Sequence, residues 1–406
     1  MTSTAIQGKD NFLRRINQFG HDPEAIKSNG SQTTKVTVNG IQDLRALIGS
    51  ADESARKLYQ VNYDKLFAKK SPCDLGSVAD AYIHGTGTLT SAQHAEIEPY
   101  FPTVVTLTSA VNYTLPPGQT TYGPNQPPVV LNYGILTIPY GSWITTLSTN
   151  LTLSATSVIV QPPSGSPPPN MPSYQIGIMG ASQLPAAAGT AGTNNTQQGA
   201  NGGGGGCIWG GGGCKNDPSG GSQGNPGGNG GPAANGQSGL PALAANITIG
   251  TLTGALNVAS QGGVGQSGGL GGAGGTGSQG GNGGYGTSCG AASCNGGNGG
   301  KGGTGGNGGN GANGGNGGSA QTVAVTVTTL SPNSKVYANP TASPTGAGGA
   351  GGAKGAGGSG GAGGGSGSGG TDGSPGAQGD SGSAGQPGAA GTSSGPVGQI
   401  IVNQPS

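Results

Sequence analysis

The sequence predicts a mixed chain. A small α-helical module spans 1–100, a β-rich region (a β-helix or a sandwich) spans 101–198, and a polyglycine-II helix bundle bracketed by β-strands spans 199–406. Three observations predict this. Charge gathers at one end: of the 29 Asp, Glu, Lys and Arg residues, 22 lie in the first 100. From about 101 to 185, apolar and polar residues alternate in short runs broken by Gly, Pro and Asn, which is a β pattern. Beyond that, glycine returns every third residue for long stretches, and 94 of the 406 residues are Gly.

In the first module, Leu44, Leu47 and Ile48 follow helical spacing and Gly49 stops that helix. Ser50 and Glu53 read as a capping box for the next helix, and Lys69 and Lys70 suit its last turn. This part has the composition of ordinary soluble protein, and it is expected to join the chain to a larger protein assembly. The N-terminal sequence MTSTAIQGKDNFLRRINQFG lacks the apolar core of a Sec signal peptide. No run of 18 apolar residues predicts a transmembrane helix, so no membrane insertion is expected. A net charge of +1 gives no basic patch for nucleic acid. The expected location is extracellular or on a virion surface, reached by host lysis or a dedicated secretion system.

In the second region the runs VVLNYGILTIPY and SWITTLSTNLTLSATSVIV are strands in close succession, and YQIGIMG is one more. In the third, NITIGTLTGALNV, QTVAVTVTTL and VGQIIVNQ read as strands that bracket the glycine tracts.

The tracts themselves have a period of three: 262–288, 296–319 and 346–393. That is the period of an extended helix of the polyproline-II type, which has no internal hydrogen bonds. Collagen shares the period but needs far more proline than these tracts hold. In a bundle of polyglycine-II helices each backbone pairs sideways with its neighbours, and every contacting face must be glycine because a Cβ would hold the backbones apart. Triplets in 262–288 and 296–319 mostly begin Gly-Gly, and in 346–369 they mostly end in Gly. These three stretches are expected inside. Residues 370–393 have one Gly per triplet and are expected to fold back along the outside. Asn298, Asn307, Asn310, Asn313 and Asn316 recur at the third position and form an expected solvent-facing ladder.

Strand-bracketed, period-three tracts of this kind resemble the glycine-rich domain of phage tail-fibre tip adhesins, and share their bundle logic with the glycine-rich antifreeze proteins of snow fleas. The resemblance covers about 199–404 and rests on period and composition. It implies a polyglycine-II bundle in a structural or receptor-binding protein, and it brings no catalytic or binding motif with it.

Cys207 and Cys214 flank IWGGGG, and Cys289 and Cys294 flank GAAS, each pair where a tract should reverse. A disulfide within each pair would close a turn; free thiols are the other reading. Cys73 stands alone. Trp209 lies in the first of these loops with almost nothing apolar around it. It is a candidate receptor contact, for a sugar ring or an apolar patch, or else a plug for the end of the bundle. Tyr285 is its counterpart at the opposite tip.

Chemistry is not expected. The G-x-S-x-G matches at 220–224 and 265–269 arise by chance in glycine-rich sequence. His21, His84 and His94 have no spaced partners, so no catalytic residue, metal site or cofactor is expected. The function expected is structural and adhesive, at a phage tail or fibre tip that binds a cell-surface protein or glycan. The alternative is a self-assembling filament subunit in which VGQIIVNQ is donated as a strand.

Overall fold

The structure is a computed structural model and describes residues 12–49, 53–67, 75–124, 126–209, 213–290 and 292–405. Ser50, Lys69, Lys70 and Cys73 lie outside the described residues. The chain is a mixed α/β protein with several sheets, largely β-rich.

The helical module contains α1 (12–18), α2 (Pro23–Asn29), α3 (Ile41–Ile48), α4 (Glu53–Phe67), α5 (Leu75–His84) and α6 (Ser91–Ile97). Gly49 ends α3 by returning its N–H to the Arg45 carbonyl. Thr90 and Gln93 cap α6 reciprocally. The module also holds a strand that its sequence did not announce, β1 (Gln32–Val38). This strand pairs antiparallel with β2 (Thr103–Thr114), so the expected boundary at residue 100 is crossed by a sheet.

Beyond it, strands alternate between two sheets. One sheet takes β2, β4 (Val129–Ile138), β6 (Leu151–Val160), β10 (Ala245–Thr253), β14 (Val323–Leu330) and β16 (Ile400–Asn403), in that spatial order after β1. The other takes β3 (Gly118–Tyr122), β5 (Ser142–Leu147), β7 (Ile176–Met179), β11 (Ala255–Gln261) and β15 (Lys335–Pro340). From β2 onward every pairing within these two sheets is parallel. Each coil of chain therefore gives one strand to each sheet and advances by one position. Of the two expected β architectures this is the β-helix, since a sandwich would be largely antiparallel.

The register stacks like side chains on like. Leu131, Leu153, Ile247, Val325 and Val402 are successive partners across five strands. With residues such as Ile144, Ile176, Leu256 and Val336 from the facing sheet they form the main core. The helical module covers the outer face of the larger sheet, where Phe19, Ile41, Ile83 and Ile97 pack on Val105, Leu107 and Val130. The strand 400–403 pairs with β14 in its own molecule, so it is not a free arm for donation to another copy.

From the third coil on, the connections between coils become long. Each is a pair of glycine tracts running out and back: tracts 1 and 2 (181–205 and 217–241), 3 and 4 (262–286 and 295–319), and 5 and 6 (344–367 and 370–395). Odd tracts run parallel to one another in one layer, even tracts in a second layer antiparallel to the first. Their backbones bond sideways every third residue, as in Gly300 N–H to Gly281 O, Gly303 to Ser278 and Gly306 to Gly275, each 2.8 Å. Tracts 3 and 4 each bond to four neighbours, tracts 2 and 5 to three, and tracts 1 and 6 to two. Residues 181–198, expected in the β-rich region, are thus part of the glycine array. They carry little glycine because a peripheral tract needs only one bare face.

Glycine fills most of the crossings, although Gln266, Ser278 and Ala312 make the same lateral bonds at equivalent positions. A Cβ added to Gly306 would fall well under 3.0 Å from the Gly228 carbonyl, and one on Gly305 would meet Gly355 in the same way. Neighbouring glycines in a triplet serve different neighbours, which is why tracts 3 and 4 need two.

Candidate functional site

The tract pairs reverse at the end remote from the sheets. The first reversal is a short hairpin of β8 (Gly206–Cys207) and β9 (Cys214–Asn216), the second is β12 (Ser288–Cys289) and β13 (Ala292–Ser293), and the third is a plain turn near 368–370. Because the coils stack, so do these reversals.

That stacking sets the cysteine pairing, and it differs from the one expected from spacing. Cys207 bonds to Cys289 and Cys214 to Cys294, with Cα separations of 5.4 and 5.2 Å. Neither disulfide closes its own turn. Cys207 and Cys214 sit opposite each other across the first hairpin, and each reaches instead to the hairpin one coil further on. The two bonds bridge 82 and 80 residues of sequence. They lock the first two reversals into one tip, with Cys289 and Cys294 buried inside it. Disulfides of this kind are compatible with an extracellular protein.

Trp209 projects from this tip at 102% relative exposure, so it plugs nothing. Ile208 beside it is half exposed. Tyr285 is 73% exposed and ends tract 3 at the same tip, since its carbonyl accepts from Gly205 N–H just before the first hairpin. The expectation that Tyr285 marks an opposite tip is therefore corrected: antiparallel tracts bring 209 and 285 to one end. Ile208 was missed in the sequence, although its place next to Trp209 inside the Cys207–Cys214 loop was the available signal. An exposed indole, a phenol and an aliphatic side chain on a covalently tied base can contact a flat apolar or sugar surface.

The Asn ladder does more than face solvent. Asn298, Asn307, Asn310 and Asn313 are exposed and Asn316 is half-buried. Each Oδ1 accepts a backbone N–H from tract 6: Ser374, Ser383, Gln386, Ala389 and Thr392, at 2.8 to 2.9 Å. The glycine after each of the first four donates its own N–H to the carbonyl of the same tract 6 residue, as Gly314 does to Ala389. An Asn-Gly pair thus grips both polar groups of one residue in the next tract. Asn235-Gly236 holds Asn313 in this way, and Asn313-Gly314 holds Ala389.

Among the described residues no group of His, Cys, Asp and Glu side chains could hold a metal ion, and no helix is long and apolar enough to cross a membrane. His21 and His84 are buried, and His94 packs edge-on to Tyr82. No family model, curated protein or solved structure matches this chain.

Proposed function

We propose that the chain is a non-enzymatic structural and adhesive protein, a phage tail or fibre-tip component whose glycine array presents a receptor-binding tip. In this reading the six tracts are polyglycine-II helices. The three-residue spacing of the lateral hydrogen bonds and the glycine at most crossings support that conformation. The helical module joins the chain to a larger assembly, the coiled sheets form the base, and a cell-surface protein or glycan is met at the far end. The protein works outside the cell or on a virion surface, without nucleic acid and without membrane insertion.

One observation carries the reading: Trp209 is fully exposed at a tip tied by two disulfides and shared with Ile208 and Tyr285. An indole displayed this openly, with an aliphatic and a phenolic side chain at the same tip, makes a clustered patch of the kind that partner surfaces cover. The test is binding of the labelled protein to a panel of intact bacterial cells. Trp209→Ala is expected to weaken binding about 30-fold, the scale of an interface hot spot, with an unchanged melting temperature. Equal binding by wild type and variant, or no binding to any surface, would overturn the reading.

A filament subunit is the second reading. It is favoured by the outer edges of β15 and β16, the last strands of their sheets, which could extend the coil into another copy. Electron microscopy across a concentration series separates the two, since filaments of uniform width belong only to the second.

A further inference from the structure

Helical periodicity carries an arginine into the interior of the N-terminal module. In α1, Phe12 and Ile16 are buried, and Phe19 follows on the same face just beyond its last turn. Arg15 shares that face and is 8% exposed. Among the described residues its guanidinium makes one hydrogen bond, from Nη2 to the Ile48 carbonyl at 3.5 Å, and its Nη1 has no hydrogen-bond partner. No hydrogen bond or ion pair among the described residues joins it to an acidic side chain, and a buried cation without a counter-charge is costly for a fold to hold.

Arg15 lines a cavity between the helices and the outer face of the larger sheet. Around it are Tyr59, His84, Thr152, Asn246 and Thr248, and no acidic side chain lines this part among the described residues. The sheet face here is polar by register, with Thr152 opposite Asn246 and Thr248 opposite Thr326. His84, at the end of α5, is buried beside Arg15. Burial first and the guanidinium second push its pKa down to about 3, so it is neutral and can still donate one N–H. The site opens into a wider cavity of about 260 Å³ lined by Leu44, Ala79, Ile83 and Val130 and also by Asp80, which does not line the Arg15 part.

We propose that this cavity is an oxyanion site. The anionic group sits against Arg15 and accepts from the neighbouring hydroxyl, amide and imidazole donors, and any organic tail lies along the apolar wall. An anion there would satisfy Nη1 and supply a counter-charge that the described lining does not, with geometry suited to a carboxylate, sulfate or phosphate. The inference is independent of the tip and stands or falls without it.

The test is calorimetric titration of the full chain with sodium sulfate and, separately, sodium butyrate, at matched ionic strength in chloride. The helical circular dichroism signal is followed on heating in the same buffers. Saturable binding and a concentration-dependent rise in melting temperature are expected for at least one anion. Tighter sulfate binding assigns an inorganic ligand, and tighter butyrate binding an organic carboxylate. Arg15→Gln should abolish binding. The Thr248 hydroxyl donates to Asn246 Oδ1 at 3.3 Å and would turn to the anion; should the first variant not fold, Thr248→Val is expected to weaken binding about fivefold, the difference between a hydrogen bond to a charged group and one to a neutral group. Lys27→Ala, which removes an exposed cation, should leave it unchanged. Absence of saturable binding by both anions, or binding undiminished in Arg15→Gln or Thr248→Val, overturns the proposal.

Discussion

At the residue scale, two kinds of side chain hold the glycine array together, one by its absence and one by its reach. Gly306 has no room for a methyl group against the Gly228 backbone, whereas a Cβ on Gly203 would meet only the Ser219 hydroxyl oxygen at 3.6 Å. Gly306→Ala is therefore expected to lower stability by about 1–3 kcal/mol, the usual cost of forced overpacking. Gly203→Ala should stay within about 0.5 kcal/mol. Thermal unfolding of the two variants measures the contrast. The asparagines act by reach. Asn313→Ala removes the acceptor for Ala389 N–H at 2.8 Å, at an expected cost of about 0.5–1.5 kcal/mol. A sharper readout is amide exchange: Ala389 should lose protection in the variant while Gly388, bonded to Gly349, keeps it.

At the element scale, the helical module should respond to acid separately from the glycine tracts. His84 binds its proton near pH 6.5 in the unfolded chain and near 3 in the folded one. Between those values the unfolded state holds the extra proton, so stability falls as pH drops below 6.5 and stops falling from this cause near 3. The slope is at most about 1.4 kcal/mol per pH unit. Urea unfolding followed by the helical signal, without added oxyanion, should show this slope between pH 6.5 and 4, and His84→Gln should flatten it. How legible these elements were in sequence depends on how many neighbours each has. Tracts 3 and 4 touch four others, so two of every three positions are glycine and the period is plain. Tract 1 touches two, and it slips phase once: Asn195 and Gly199 are four residues apart where their partners Thr276 and Gln279 are three apart. That slip hides its period among Thr, Asn and Gln. β1 was hidden for another reason. QTTKVTV has a half-exposed edge-strand pattern, and only its pairing with β2 makes it a strand.

At the scale of the whole molecule, the hidden quantity was the length of a coil. Ala245 pairs with Val323, and Val323 with Ile400, offsets of 78 and 77 residues. The strands that recur are too varied in sequence to display such a repeat, so the stacking of the tips could not be anticipated. The cysteines then looked like partners across a turn when they are partners across a coil. The correction changes what reduction does. A disulfide closing about 80 residues restrains the unfolded chain by about 4–5 kcal/mol, whereas one closing a turn restrains it much less. Cys207→Ser alone should cost little while Cys214–Cys294 still joins the same two coils. Removing both bonds should cost most of that amount. Melting temperatures of single and double variants under non-reducing conditions check this; equal steps for the two removals would contradict it.

Coil stacking also bears on heredity. Each Gly-X-Y unit is nine bases of repetitive coding sequence, the kind that gains or loses copies when a polymerase slips. Gain of one unit in one tract keeps every later glycine in phase, so the reading frame and the period both survive. With the returning tract lengthened to match, the affected hairpin would nevertheless stand one rung, about 9 Å, beyond its neighbours, and its cysteines would no longer face those of the adjacent coil. The paired tips thus act as a gauge on the gene: copy-number changes in tracts 1 to 4 keep both disulfides only when the two linked hairpins stay level.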